Sequence, residues 1–182
     1  MPFKFLKTRI PDVVCVEPVI IADDRGSFAE LFKASDFQAN GLPTAFVQVS
    51  HARSRKNVVR GLHYQLNPKA QARLISVVHG EILDVAVDIR RGSPTYGQWV
   101  SALLSVADKS MLFIPEGFAH GYCVLSEEAE VIYFCSGEYA PELERNIAWN
   151  DPTIAIAWPV KDPALSPKDA GAPFLPAAEN NF

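Results

Sequence analysis

The sequence predicts an all-β domain, a sandwich or barrel of about ten short strands. Three observations lead there. Short apolar or alternating runs recur at close spacing, ten glycines and fourteen prolines punctuate them, and helical signals are confined to two short stretches. The 182 residues suit a single domain spanning 1–182.

The elements follow in order. Val13–Ile21 is rich in β-branched residues and ends in Ala-Asp-Asp-Arg-Gly, a turn after which Ser27–Phe32 resumes extended structure. Lys33–Asn40 reads as a short helix stopped by Asn-Gly. Ala45–Ala52 is the next candidate strand. Val58–Tyr64, Arg73–His79 and Glu81–Ile89 follow, the last two separated by Gly80 alone. In Glu81–Ile89 one face carries Leu83, Val85, Val87 and Ile89, and the other carries Asp84, Ala86 and Asp88. Gly97–Leu104, Ser110–Ile114, Ala119–Val124, Glu130–Ser136 and Ala155–Trp158 complete the strands. Ala140–Arg145 is a second short helical stretch, with Pro141 at a first-turn position. From Lys161 the chain is rich in proline and should run as an extended tail over the barrel.

Composition narrows the function. A net charge of −4 and a pI near 5.6 give no basic excess for nucleic acid or an anionic membrane, so a phosphate-bearing ligand would need a local basic pocket. Cys15, Cys123 and Cys135 are odd in number, widely spaced and without a CxxC pair, which suits a reducing cytosol. Met1–Ile10 carries three basic residues but no signal-peptide apolar run, so a cytoplasmic location is expected.

Pro115-Glu-Gly117-Phe-Ala-His120 resembles the PxGxxH motif of cupin barrels. In metal-binding cupins a first motif supplies HxH and a glutamate, because a divalent metal needs about three or four ligands. The counterpart here, Gly61-Leu-His63-Tyr-Gln65, has glutamine in place of the second histidine. The resemblance implies a cupin-type double-stranded β-helix, a jelly-roll barrel with no metal and no other cofactor. An imidazole side chain suits proton transfer, which makes His63 a candidate base, although a histidine satisfied inside the core is the plainer reading of an isolated ring. Arg60 and His63 differ by an odd number, so a bulge or strand end near Gly61 is needed to bring both into one pocket.

The ordered set Asp24-Arg25-Gly26, Phe46-Val47-Gln48, Arg60-Gly-Leu-His63-Tyr-Gln65, Gly80-Glu-Ile-Leu-Asp84-Val, Ile114-Pro-Glu-Gly-Phe-Ala-His120-Gly and Trp149-Asn-Asp-Pro resembles the dTDP-4-dehydrorhamnose 3,5-epimerase family. The resemblance implies a homodimer that inverts C3″ and C5″ of a nucleotide-linked 4-keto-6-deoxy sugar. It implies His63 as the base, Asp169 as the carboxylate that orients it and Tyr133 as the acid on the opposite face. Asp84 is a rival partner for His63, and Asp169 reads equally well as a solvated tail residue. By the same resemblance Arg25 and Arg60 bind phosphate, Arg73 lies near the sugar ketone and second phosphate, and Glu30, Gln48 and His120 lie near nucleotide or sugar.

Three positions depart from the family pattern. Arg73 stands where lysine is usual, Gln48-Val49-Ser50-His51 replaces Gln-Asp-Asn-His, and Glu138-Tyr139 replaces a pair of aromatics before Ala-Pro. These changes touch the enolate, the base-reading amide and the stacking surface. They leave open a 3-only epimerase, a CDP- or GDP-linked substrate, or a nonenzymatic sugar-nucleotide-binding cupin. A metal-dependent cupin is disfavoured by the incomplete HxH.

Overall fold

The computed structural model describes residues 2–182. The chain builds two antiparallel sheets that face one another. The first runs β1(Phe3–Lys7), β2(Val14–Pro18), β10(Met111–Ile114), β7(Arg73–His79), β12(Glu128–Cys135) and β5(Gln48–Arg55). The second runs β13(Glu144–Asn146), β6(Val59–Gln65), β11(Phe118–Val124), β8(Glu81–Asp88) and β9(Trp99–Ser105). Between them lies an apolar core that includes Ile75, Val77, Leu112 and Val131 from the first sheet and Ile82, Ala86, Leu104 and Tyr122 from the second. Inward residues of both sheets interdigitate there and keep one another out of water.

The alternation in β8 has an outcome that its sequence hides. Ala86 joins the core between the sheets, and the fully buried carboxylates Asp84 and Asp88 are spaced at period two from it. The apolar set Val85, Val87 and Ile89 faces outward and is roofed by Ile154, Leu175 and Ala178 of the C-terminal segment. That segment therefore supplies the second half of an apolar layer, and removing it would expose the outer face of β8.

Several boundaries differ from the sequence reading. β1 pairs with β2 along Phe3–Lys7, where no strand is expected. Val13–Ile21 splits at Pro18, and the residues beyond form a separate hairpin of β3(Ile21–Asp23) and β4(Gly26–Phe28) instead of a strand through Phe32. Ala155–Trp158 is not a strand. The Asp151 carboxylate accepts the backbone N–H groups of Thr153 and Ile154 at 2.7 and 3.0 Å, curling this stretch into a turn with no ladder partner. Ala140–Arg145 becomes a single 3-10 turn, Pro141–Leu143, that leads into β13. The short helix survives as α1(Ala34–Ala39). The tail carries α2(Pro167–Ala170), begun by Ser166 as a side-chain cap and by Pro167 in the first turn. Among the described residues no helix is long and apolar enough to cross a membrane.

Candidate active site

A cleft of about 200 Å³ opens between the sheets. β6 supplies Arg60 and His63, β11 supplies His120, β7 supplies Arg73, β12 supplies Tyr133 and Cys135, and β5 supplies Gln48 and Ser50.

The required bulge lies at Gly61. His120 pairs with His63 and Tyr122 pairs with Arg60, so Gly121 alone of β11 lies opposite both Gly61 and Leu62 of β6. The extra residue turns Arg60 and His63 to one side. Glycine is needed there for two reasons: φ is +146°, and a Cβ would sit 2.6 Å from the Gly121 Cα. The Pro115-Glu-Gly117 turn aims β11 in a similar way, since Gly117 has φ +80° and a Cβ there would meet Arg90 Cγ at 2.5 Å.

His63 Nε2 lies 2.5 Å from Asp169 Oδ1, across 106 residues of chain. Asp169 is 3% exposed and its backbone N–H donates to Ser166 Oγ at 3.1 Å, so α2 holds the carboxylate still. Burial works against the Asp169 charge, but hydrogen bonds and charge from His63, with help from Ser166 and Lys168, outweigh it and hold the carboxyl below its usual range. A proton on Nε2 directed at this carboxylate leaves the ring's lone pair on Nδ1, the form a general base requires.

Asp84 is not the partner of His63. Its Oδ1 lies 2.7 Å from His120 Nε2, and its Oδ2 is buried with no hydrogen-bond partner. Burial pushes the Asp84 carboxyl up, against the opposing pull of His120 and Arg73. Tyr133 stands on the facing sheet, with its ring centroid 5.8 Å from that of His120. Its phenol is pushed well above the ordinary value, by burial first, then by the neighbouring Tyr122 hydroxyl and by Asp84, with Arg73 opposing.

Two guanidinium groups reach the cleft without a carboxylate partner among the described residues. Arg60 Nε donates to Ser54 Oγ at 2.9 Å, and Arg73 Nη1 donates to the His63 carbonyl at 3.2 Å. Each keeps donors and a full charge for an anionic ligand.

At the cleft mouth Gln48 Nε2 donates to Ser50 Oγ at 3.0 Å, and Gln48 Oε1 accepts the Tyr139 N–H at 2.7 Å. Tyr139 donates its hydroxyl to Glu144 Oε2 at 2.7 Å, and Lys168 Nζ lies 2.5 Å from the same oxygen. Glu144 and Lys168 escape the sequence reading; their signal is their position, on the strand beside His63 and next to Asp169. Gln65, at the place of the second motif histidine, is buried and ties loops together, donating to the Lys69 carbonyl at 2.6 Å and accepting the Ala140 N–H at 2.8 Å.

Three expected site residues are not brought into the cleft. Arg25 projects from the β3–β4 hairpin and pairs with Asp23 Oδ2 at 2.5 Å, and Glu30 is exposed. Glu138 is exposed too, and meets the cleft wall only through its carbonyl, which accepts from Gln65 Nε2 at 3.3 Å.

A double-sheet barrel with a histidine–aspartate pair on one wall and a tyrosine on the other is a cupin-type fold arranged for proton transfer. The family model described as dTDP-4-dehydrorhamnose 3,5-epimerase matches residues 7–177, and the chain belongs to that family. It is 52% identical over 174 residues to the dTDP-4-dehydrorhamnose 3,5-epimerase of Shigella flexneri, covering 94% of this chain and 96% of that protein. The crystal structure of the 3,5-epimerase from Legionella pneumophila in complex with dTDP-4-keto-L-rhamnose superposes with a TM-score of 0.93, at 46% identity over 96% of this chain and 94% of that one. ChmJ, a 3′-monoepimerase from Streptomyces bikiniensis solved with dTDP-quinovose, gives a TM-score of 0.88 at 36% identity over 93% and 87% of the two chains.

Proposed function

We propose that this single-domain protein inverts C3″ and C5″ of dTDP-4-dehydro-6-deoxy-D-glucose, giving dTDP-4-dehydro-L-rhamnose. The observation that carries the proposal is the pairing of His63, on one sheet, with Asp169 of α2, with Tyr133 across the same cleft on the other sheet. Inversion needs a base on one face of the carbon and an acid on the other. A proton α to a ketone is removed at neutral pH only where the enolate oxygen meets fixed positive charge, and Arg73 is the group for that task. Arg60 binds the diphosphate, Gln48, Ser50 and Tyr139 meet the base, and His120 meets the sugar.

Arg25 and Glu30 enter this scheme through a second copy. The exposed hairpin carries Ile21 and Phe28, at 64% and 65% exposure, beside Arg25. Apolar side chains that open to water favour burial against a partner. The working unit is then a homodimer, cytoplasmic, in which each hairpin brings its arginine to the neighbouring cleft.

Proton NMR in D₂O with dTDP-4-dehydro-6-deoxy-D-glucose tests the proposal. Deuterium at both C3″ and C5″ is expected. Exchange at C3″ alone would make this a 3-epimerase, the activity of ChmJ, which at 36% identity resembles this chain less than the 3,5-epimerases do. No exchange from folded protein would contradict the dTDP substrate and send the test to the CDP and GDP analogues.

A further inference from the structure

We infer that Asn146 is a positioning residue for the His63–Asp169 pair: it holds the carbonyl of Lys168 and so fixes where the next residue, Asp169, meets the imidazole. This role rests on the reading of His63 as the base and Asp169 as the carboxylate that orients it.

Asp169 reaches His63 from a segment with little of its own to keep it in place. α2 is a single turn, Pro167–Ala170, and helices that short do not persist alone in water. The tail is pinned on either side of that turn. Before it, the Ala164 N–H donates to the Asn57 carbonyl at 3.0 Å and the Ala164 carbonyl accepts the Val59 N–H at 3.2 Å; after it, the Pro173 carbonyl accepts the Ala148 N–H at 2.8 Å. Within the turn, apart from the contact with His63, the polar ties to the barrel among the described residues both fall on Lys168. Its Nζ lies 2.5 Å from Glu144 Oε2, and its carbonyl accepts from Asn146 Nδ2 at 2.9 Å.

The second of these ties answers a backbone need. The last carbonyls of a helix lack intrahelical partners. Here the following amides pass Lys168 by: Ala170 donates to the Ser166 carbonyl, Gly171 to that of Pro167 and Ala172 to that of Asp169. The Lys168 carbonyl is left over, and the Asn146 side chain supplies its donor.

Asn146 is fixed in turn by the strand that carries the base. It is the register partner of His63 across β13 and β6, and Ile147 next to it exchanges backbone hydrogen bonds with Leu62 at 2.9 and 3.0 Å. His63 and the anchor of its carboxylate therefore stand on adjacent strands, with one peptide unit between the anchored carbonyl and the Asp169 Cα. Asn146 lines neither the main cleft nor the smaller pocket that Arg60 and His63 share with Ser166 and Asp169, so its effect on the reaction runs through Asp169. Proton abstraction depends steeply on placement of the base, and the placement of this base is set from the far side of its partner.

The test compares Asn146→Ala, Asp169→Ala and the double variant with the wild type. A neutral hydrogen bond is worth about two- to tenfold in an equilibrium, so kcat should fall by about that much in Asn146→Ala while KM moves less than about twofold. In the Asp169→Ala background the same substitution should cost less than about 1.5-fold, because no carboxylate remains to be placed. Nitrogen NMR of histidine-labelled protein, at a pH where the ring is neutral, gives a readout that general distortion would not move in this way. The wild-type His63 ring should be held with its proton on Nε2, and Asn146→Ala should shift both ring nitrogens toward a mixture of tautomers. Wild-type kcat with unchanged ring signals in Asn146→Ala, or an equal loss with and without Asp169, would overturn the inference. Should Asp169→Ala fail to fold, the His63 ring signals of Asn146→Ala decide alone: a shift supports the inference and unchanged signals overturn it. Wild-type turnover in Asp169→Ala is the separate outcome that would remove the reading of the pair itself.

Discussion

His63 and His120 are register partners across β6 and β11, yet each is bound to a different carboxylate, His63 to Asp169 of the tail and His120 to Asp84 of β8. The two rings differ in access. His120 is 3% exposed and its Asp84 partner is fully buried, whereas the His63 side chain keeps 26% exposure at the cleft wall. A base must meet its substrate, and His63 is the better placed of the two. His63→Asn is therefore expected to lower kcat by about 10²–10⁴-fold, the usual contribution of a general base. Calorimetric binding of dTDP should stay within about threefold of wild type, since Arg60 and Arg73 are untouched. Wild-type kcat would remove His63 from the base role.

Gly61 sets the angle at which Arg60 and His63 share one cleft. In Gly61→Ala the new methyl would press on the Gly121 Cα at 2.6 Å, with φ held at +146°. Backbone faces it on the close side, so relief requires the two strands to part. The substitution should cost about 2 kcal/mol or more in urea unfolding and remove most activity. An unchanged midpoint with full activity would show that the bulge tolerates a side chain.

Much of this was legible in the sequence. Alternation in β8 marks a strand, and the odd spacing of Arg60 and His63 calls for the bulge that the structure places at Gly61. The rest depends on long-range partners. Asp169 is 106 residues from His63, and nothing in Ser-Pro-Lys-Asp distinguishes a dyad carboxylate from a solvated tail except the family resemblance. Asp84 reads in the sequence as a rival partner for His63, and only the pairing of β8 with β11 brings it to His120 instead. Ala155–Trp158 has the residues of a strand but no neighbour to pair with, because Asp151 takes the adjacent N–H groups. Glu144 and Lys168 look like surface charges until the fold sets both against Tyr139 and the dyad.

Arg25 tests the dimer. It is exposed on a hairpin apart from the cleft of its own chain. If a second copy supplies it, Arg25→Ala and His63→Asn are each nearly inactive alone but complement when mixed. Random pairing makes half the dimers mixed, each with one intact site, so roughly a quarter of wild-type activity should return. Mixing after denaturation and refolding, followed by the coupled assay, gives the answer. No recovery would place Arg25 outside the partner's cleft.

Asp88 sets a pH dependence remote from the chemistry. Burial opposes its charge, but Arg90, Ser93 and Thr95 more than offset this and bring the carboxyl down from 3.8 to about 2. A lowered folded value stabilises the protein above the unfolded value, and that stability is lost as pH falls through the folded one. Asp88→Asn should therefore cost about 2 kcal/mol at neutral pH, with the gap to wild type closing between roughly pH 4 and pH 2. Urea titrations across that range check it, and a gap independent of pH would contradict the assignment.

The most direct measurement of the central claim is Tyr133→Phe followed by NMR in D₂O with dTDP-4-dehydro-6-deoxy-D-glucose. With the base and the acid on opposite walls, abstraction by His63 should continue and deuterium should still enter at C3″, while inverted product falls by about 10²-fold or more. Full product formation at the wild-type rate would contradict the account, because some group other than Tyr133 would then be delivering the proton.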